Sequence, residues 1–103
     1  MAVGELTLPD FNAIQGIKVG TGSAGIKKTG RKDLVIFELA KGSLSAGVFT
    51  LNAFCAAPVQ LAKKYLQQAQ PRYLVINTGN ANAGTGSQGL LDAERTCVEV
   101  ARL

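Results

Sequence analysis

The chain has 103 residues, is 47% hydrophobic and 17% charged, carries a formal net charge of +4, and contains two cysteines and no histidine. That balance suits one soluble α/β domain and excludes a disordered or fibrous segment, and no apolar run approaches the ~18–20 residues of a membrane span. Without histidine there is no Ser–His or Cys–His nucleophile pair and no histidine-containing metal site, so a general base must be of another kind or come from elsewhere.

The start, Met-Ala-Val-Gly-Glu, lacks the basic stretch and apolar core of a secretory signal, which makes the cytoplasm the default compartment. Cys55 and Cys97 are then expected as reduced thiols, one in an apolar run and one on an apolar helical face. Pro9 and Asp10 suggest a turn before Phe11. Residues 16–30 follow with Gly16, Gly20, Gly22, Gly25 and Gly30. Gly20, Gly22 and Gly25 satisfy the spacing G-x-G-x-x-G, but a dinucleotide site needs a helix to begin there, and residues 26–33 are short, basic and broken by Gly30. The segment reads instead as two strands, 17–24 and 34–39, joined by a turn around Lys28 to Lys32. Lys27, Lys28, Arg31 and Lys32 gather the local positive charge with Phe37 as the nearby aromatic, so the cluster reads as a solvated basic turn and not as a nucleic-acid surface.

The run LVIFEL at 34–39 is almost continuously apolar, as expected of a strand covered on both faces, with Glu38 directed to solvent near its end. After the turn at Lys41, Gly42 and Ser43, residues 45–50 (SAGVFT) suggest another short strand, and Asn52 falls in a loop. Pro58 suits a first helical position. Val59, Ala62, Leu66 and Ala69 then recur at helical spacing, widened by Leu61 and Tyr65, with Lys63, Lys64, Gln67 and Gln68 opposite, which predicts an amphipathic helix packed on a sheet. Pro71 ends it, and 73–76 begins the next strand. Strand, helix, strand in this order predicts a crossover, right-handed if the strands are parallel.

Residues 73–89 (YLVINTGNANAGTGSQG) run from that strand into a loop of small residues with Gly79, Gly84, Gly86 and Gly89, ahead of a helix. Leu90, Ala93, Cys97 and Ala101, joined by Val98, mark its apolar face, with Asp92 and Glu94 near its positive end and Arg102 near its negative end. The chain stops at Leu103 without a glycine cap or a proline stop, so 1–103 reads as a single incomplete domain cut from a larger protein. Glycines at a helix start let main-chain N–H groups face an anion or an oxyanion closely.

Gly84, Gly86 and Gly89 form a second G-x-G-x-x-G, but residues 78–83 separate it from the strand end, and the expected acidic partner would lie beyond the chain. Gly79 and Gly84 have P-loop spacing, yet Thr85 stands where that motif requires its phosphate-holding lysine. Two readings remain open for the pair Thr85 and Gly86. A hydroxyl beside a glycine N–H can stabilise the oxyanion of an acyl transfer, or Thr85 or Ser87 can simply cap the helix while the glycines make a turn. A nucleotide- or phosphate-binding module using Gly84 to Gly89 is the alternative from another functional class.

INTGNANAGTG at 76–86, QGLLDA at 88–93, CAAPV at 55–59 after VFTLN at 48–52, and AGIKKTGRKDL at 24–34 resemble, in the same order, blocks of the ornithine acetyltransferase family, the bifunctional glutamate N-acetyltransferases of arginine biosynthesis. The resemblance covers most of 17–103 and implies the N-terminal part of the alpha chain of a sandwich of two β-sheets between helical layers. It implies a precursor that cleaves itself before an internal threonine, which then carries an acetyl group from N-acetylornithine to glutamate; acetyl-CoA serves as donor in some members. It further implies Thr85 and Gly86 as the oxyanion hole, a beta chain from the same precursor as partner in a hetero-oligomer, and no tightly bound cofactor or metal. The family's nucleophilic threonine, cleavage motif and substrate-binding lysine lie downstream, so this segment by itself is expected to be inactive.

Overall fold

The computed structural model describes residues 9–10, 12–26 and 30–103. Three strands, β1 (Ile17–Gly22), β2 (Leu34–Leu39) and β3 (Tyr73–Asn77), form one sheet in that order, and both neighbouring pairs are antiparallel. Among the described residues two helices, α1 (Ala57–Gln68) and α2 (Gly86–Arg102), accompany the sheet. β1 ends two residues earlier than its sequence pattern suggested, and β2 keeps the expected bounds. Lys27 and Lys28, half of the expected basic turn, lie outside the described residues, as does the chain start at 1–8; Arg31 and Lys32 are exposed.

The apolar character of β2 follows from its central place. Its register aligns Val19, Phe37 and Leu74 across one face, with Val35 beside Ile76, while Gly20, Ile36 and Val75 line up on the other. All six β2 residues are half-buried, whereas Val19, Leu74 and Ile76 on the outer strands are exposed. The first face is therefore a sheet surface rich in large apolar side chains that the described residues leave open. Glu38 is not simply directed to solvent, since it stands 3.9 Å from Arg72, whose Nε also donates to the Leu39 carbonyl at 2.8 Å. Such a half-exposed pair contributes little to stability but aligns the start of β3 with the end of β2.

Three expectations are corrected by the tertiary structure. β2 and β3 are adjacent and antiparallel, with Leu34 opposite Asn77 and Glu38 opposite Tyr73, so the helix between them is not a crossover connection. α1 packs against α2, and α2 packs against β3, so α1 is a partner of the second helix and not of the sheet. The apolar stripe shifts accordingly. Ala57 and Leu61 are buried and Val59, Tyr65 and Leu66 half-buried, while Ala62 and Ala69 are exposed. In α2 the half-buried face carries Leu90, Ala93, Cys97 and Val100, and Val98 and Ala101 lie outside it. Lys64 of α1 stands 3.9 Å from Glu94 of α2 at the rim of this contact.

Residues 45–50 form no strand. Their backbone finds other partners: Ser45 N–H donates to the Gln70 side chain at 2.7 Å, and a local turn follows in which Asn52 N–H donates to Thr50 Oγ1 at 3.1 Å and Phe54 N–H to Asn52 Oδ1 at 2.9 Å. Short polar side chains that bond the backbone in this way compete with a sheet ladder. Val48 and Leu51 are almost fully exposed, so the apolar pattern that suggested a strand has no cover among the described residues.

Candidate functional site

The antiparallel register brings Gly22, Leu34 and Asn77 into line at one end of the sheet, and the loop 78–85 leaves from that end. Asp33 ties the end together. Its N–H donates to the Gly22 carbonyl at 3.1 Å, and its own carbonyl accepts the Thr78 N–H at 3.0 Å. Its carboxylate accepts the N–H groups of Ala24 at 2.6 Å and Ile26 at 2.8 Å while the residue is only 2% exposed. Charge-assisted bonds to two main-chain donors make a buried carboxylate tolerable and hold the turn after β1 against the start of the loop. Asp33 belongs to none of the site motifs legible in the sequence. The available signal was an acidic residue set between a glycine-rich turn and an apolar strand, where Asp commonly bonds nearby backbone.

Within the loop, Asn82 is the hub. Its Nδ2 donates to Asn77 Oδ1 at 3.0 Å, which bridges the loop back to the end of β3. Its carbonyl faces both the Ala57 N–H at the start of α1 and the Thr85 hydroxyl, each at 3.4 Å. Gly79, Gly84 and Gly86 have φ of +91°, +68° and +63°, a region that residues with a Cβ enter only at a cost. At Gly84 there is a second constraint, because a Cβ there would stand 2.8 Å from Cζ of Phe54. The loop thus folds back under Phe54 and delivers Thr85 and Gly86 to the start of α2.

Thr85 occupies the N-cap position of α2, yet its side chain makes no capping bond. The hydroxyl points back to the Asn82 carbonyl, so the capping role that the sequence left open for Thr85 is not the one it takes. As the first helical residue, Gly86 has no intrahelical acceptor for its N–H. Thr85 and Gly86 are exposed and line a cleft of about 270 Å³ together with Phe54, Cys55, Gln60 and Leu90. Gln60 Nε2 donates to the Cys55 carbonyl at 2.9 Å, which steadies the opposite wall.

Among the described residues no lysine or arginine lines the cleft, so those residues offer neutral dipoles and a helix start and no cationic side chain for a phosphate. Among the described residues no group of three or more His, Cys, Asp or Glu is placed to hold a metal, and no helix is long and apolar enough to cross a membrane. Both cysteines are free thiols. Cys97 lies at the contact of α2 with α1. Burial pushes its thiol pKa up, the Glu94 carboxylate pushes it further, and the Tyr65 hydroxyl is raised by burial, by Cys97 and by Glu94.

Compared with known proteins, residues 18–103 match the model of the ArgJ family. The chain is 60% identical over 103 residues to the arginine biosynthesis bifunctional protein ArgJ of Pseudomonas fluorescens, covering 100% of this chain and 25% of that protein. It is 57% identical over 90 residues to the ArgJ protein of Methylococcus capsulatus, covering 87% of this chain and 22% of the relative. This chain therefore spans about a quarter of the length of the curated relatives it matches. Among solved structures it resembles ornithine acetyltransferase from Mycobacterium tuberculosis, crystallised with ornithine, with a TM-score of 0.74 at 36% identity over 80% of this chain and 43% of that one. The ArgJ protein of Bacillus halodurans gives the same TM-score of 0.74 at 32% identity, covering 82% of this chain and 44% of its own.

Proposed function

This chain belongs to the ArgJ family, and from that premise we propose that it is the N-terminal part of the alpha chain of an ornithine acetyltransferase and supplies the oxyanion hole for acetyl transfer from N-acetylornithine to glutamate. Thr85 Oγ–H and Gly86 N–H are its two donors. The acetyl carbonyl gains negative charge on its oxygen when a nucleophile attacks, and hydrogen-bond donors beside that oxygen lower the barrier. The nucleophile is a threonine of the downstream sequence, freed as an N-terminus by self-cleavage, whose amine acts as base for its own hydroxyl. That division of labour suits a segment without histidine. The beta chain so released completes the site, and acetyl-CoA is a further candidate donor.

The observation that carries this reading is the direction of the Thr85 side chain. It does not cap the helix, and its contact with the Asn82 carbonyl is long at 3.4 Å. A donor held by a weak contact in an open cleft can turn to a developing oxyanion at little cost. The apolar sheet face left open around Phe37 suits the second sheet of the family's sandwich, which the downstream sequence would provide. A phosphate-binding role for Gly84 to Gly89 has less support, because residues 78–85 separate β3 from α2 and among the described residues no cationic side chain lines the cleft.

The test is Thr85→Ala in the full-length protein, assayed for acetyl transfer between N-acetylornithine and glutamate. Loss of one oxyanion donor should lower kcat by roughly 10- to 1000-fold and leave KM nearly unchanged. An unaltered kcat would remove Thr85 from the mechanism. Saturable binding of dinucleotides by the 103-residue chain would instead favour the phosphate module.

A further inference from the structure

Gly89 is a glycine that its backbone does not require. It lies inside α2, and among the described residues positive φ is confined to Gly16, Gly25, Gly30, Gly42, Gly79, Gly84 and Gly86. A glycine within a helix is less favourable than alanine, so something other than conformation has to account for its presence. The space around it supplies that reason. A Cβ at position 89 would overlap both Oγ1 and Cβ of Thr85, the residue four positions earlier, whose carbonyl accepts the Gly89 N–H at 3.2 Å. The Thr85 side chain occupies the volume that any other residue at 89 would fill.

We infer that Gly89 is a positioning residue for the oxyanion donors, and that its bare Cα is the seat on which Thr85 is held at the edge of the cleft. This deepens the reading of Thr85 as an oxyanion donor and rests on it. The overlap includes Thr85 Cβ, which does not move when χ1 rotates, so a rotamer change cannot relieve it. The peptide joining Thr85 to Gly86 has to shift instead. That movement displaces the Thr85 hydroxyl and the Gly86 N–H together, and it pulls the hydroxyl from the Asn82 carbonyl that now orients it. Both donors depend on one missing methyl group.

The experiment compares Gly89→Ala, Thr85→Ala, Thr85→Gly and the double variant Thr85→Gly with Gly89→Ala in the full-length protein, using N-acetylornithine and glutamate as probes. Gly89→Ala should lower kcat at least as far as Thr85→Ala, roughly 10- to 1000-fold, with KM within about threefold of the parent. With Thr85→Gly as background the seat is empty. There, adding Gly89→Ala should leave kcat within about twofold and raise Tm by roughly 1–3 °C, because alanine is the better helix former. A purely structural need for glycine at 89 would predict the same loss in both backgrounds, and that result overturns the proposal. A kcat for Gly89→Ala within about threefold of the parent, with Thr85→Ala impaired, overturns the positioning role alone and leaves the oxyanion reading standing. An unaltered kcat for Thr85→Ala overturns the oxyanion reading and the proposal with it. Should Gly89→Ala alone not fold, the sign of the Tm change in the Thr85→Gly background decides: a rise supports the seat, and a fall overturns it.

Discussion

Gly84→Ala should destabilise the protein more than Gly86→Ala, although both glycines have positive φ within five degrees of one another, at +68° and +63°. The shared term is the cost of a Cβ in the left-handed region, about 1–2 kcal/mol. At Gly86 nothing lies within 4 Å of the added Cβ, so that term stands alone. At Gly84 the new methyl group meets Phe54 Cζ at 2.8 Å and Cε2 at 3.3 Å, well inside the roughly 3.5–4.0 Å at which carbon atoms attract. Phe54 is 70% exposed and can turn away, so the added cost belongs at the low end of overpacking, about 1 kcal/mol. Gly84→Ala should therefore cost about 2–3 kcal/mol, seen as a Tm lowered by roughly 4–8 °C in scanning calorimetry of the full-length protein. In a Phe54→Ala background the excess over Gly86→Ala should vanish. The reasoning is refuted if Gly84→Ala is no worse than Gly86→Ala, or if the excess survives removal of the ring.

Two further outcomes follow from groups away from the cleft. Asp33→Ala leaves the Ala24 and Ile26 amides without their carboxylate, and at about 1.5–3 kcal/mol for each charge-assisted bond, discounted because both residues are exposed and rehydrate, it should cost about 2–4 kcal/mol. Hydrogen exchange by mass spectrometry should show those amides losing protection, and unchanged exchange would contradict the clamp. Cys97 should alkylate with a rate profile displaced to higher pH than that of an unstructured cysteine peptide, since a raised pKa leaves less thiolate at any given pH. Peptide mapping after iodoacetamide treatment between about pH 7 and 10 measures this. Glu94→Gln should move the profile only part of the way back, because burial is the larger cause, and a profile at or below that of the peptide would refute the assignment.

The elements themselves were legible in the chain, because each is written in local pattern. LVIFEL announces β2, the spacing of Val59, Leu61, Tyr65 and Leu66 announces α1, and the passage from Leu74, Val75 and Ile76 through four glycines announces a strand, a loop and a helix. The adjacency of Thr85 and Gly86 needs no tertiary information, and it is enough to suggest a pair of donors. Local pattern misleads where it has no partner to report on, as at 45–50, whose strand-like composition is overridden by bonds to Gln70, Thr50 and Asn52.

What only the tertiary structure decided is which groups meet across the chain. Periodicity shows that a helix has an apolar face but not what covers it, and for α1 the cover is α2 and not the sheet. Strand order and direction depend on pairing between residues far apart, such as Glu38 with Tyr73, and no single strand encodes that pairing. The clamp at Asp33, the hub at Asn82 and the methyl-sized gap at Gly89 belong to the same kind of fact. The chain by itself determined that a hydroxyl and a glycine stand at the start of a helix. Packing of side chains at a few ångströms decided that the hydroxyl leaves the helix uncapped and turns to the Asn82 carbonyl, with Thr85 filling the space that would have held a side chain at 89.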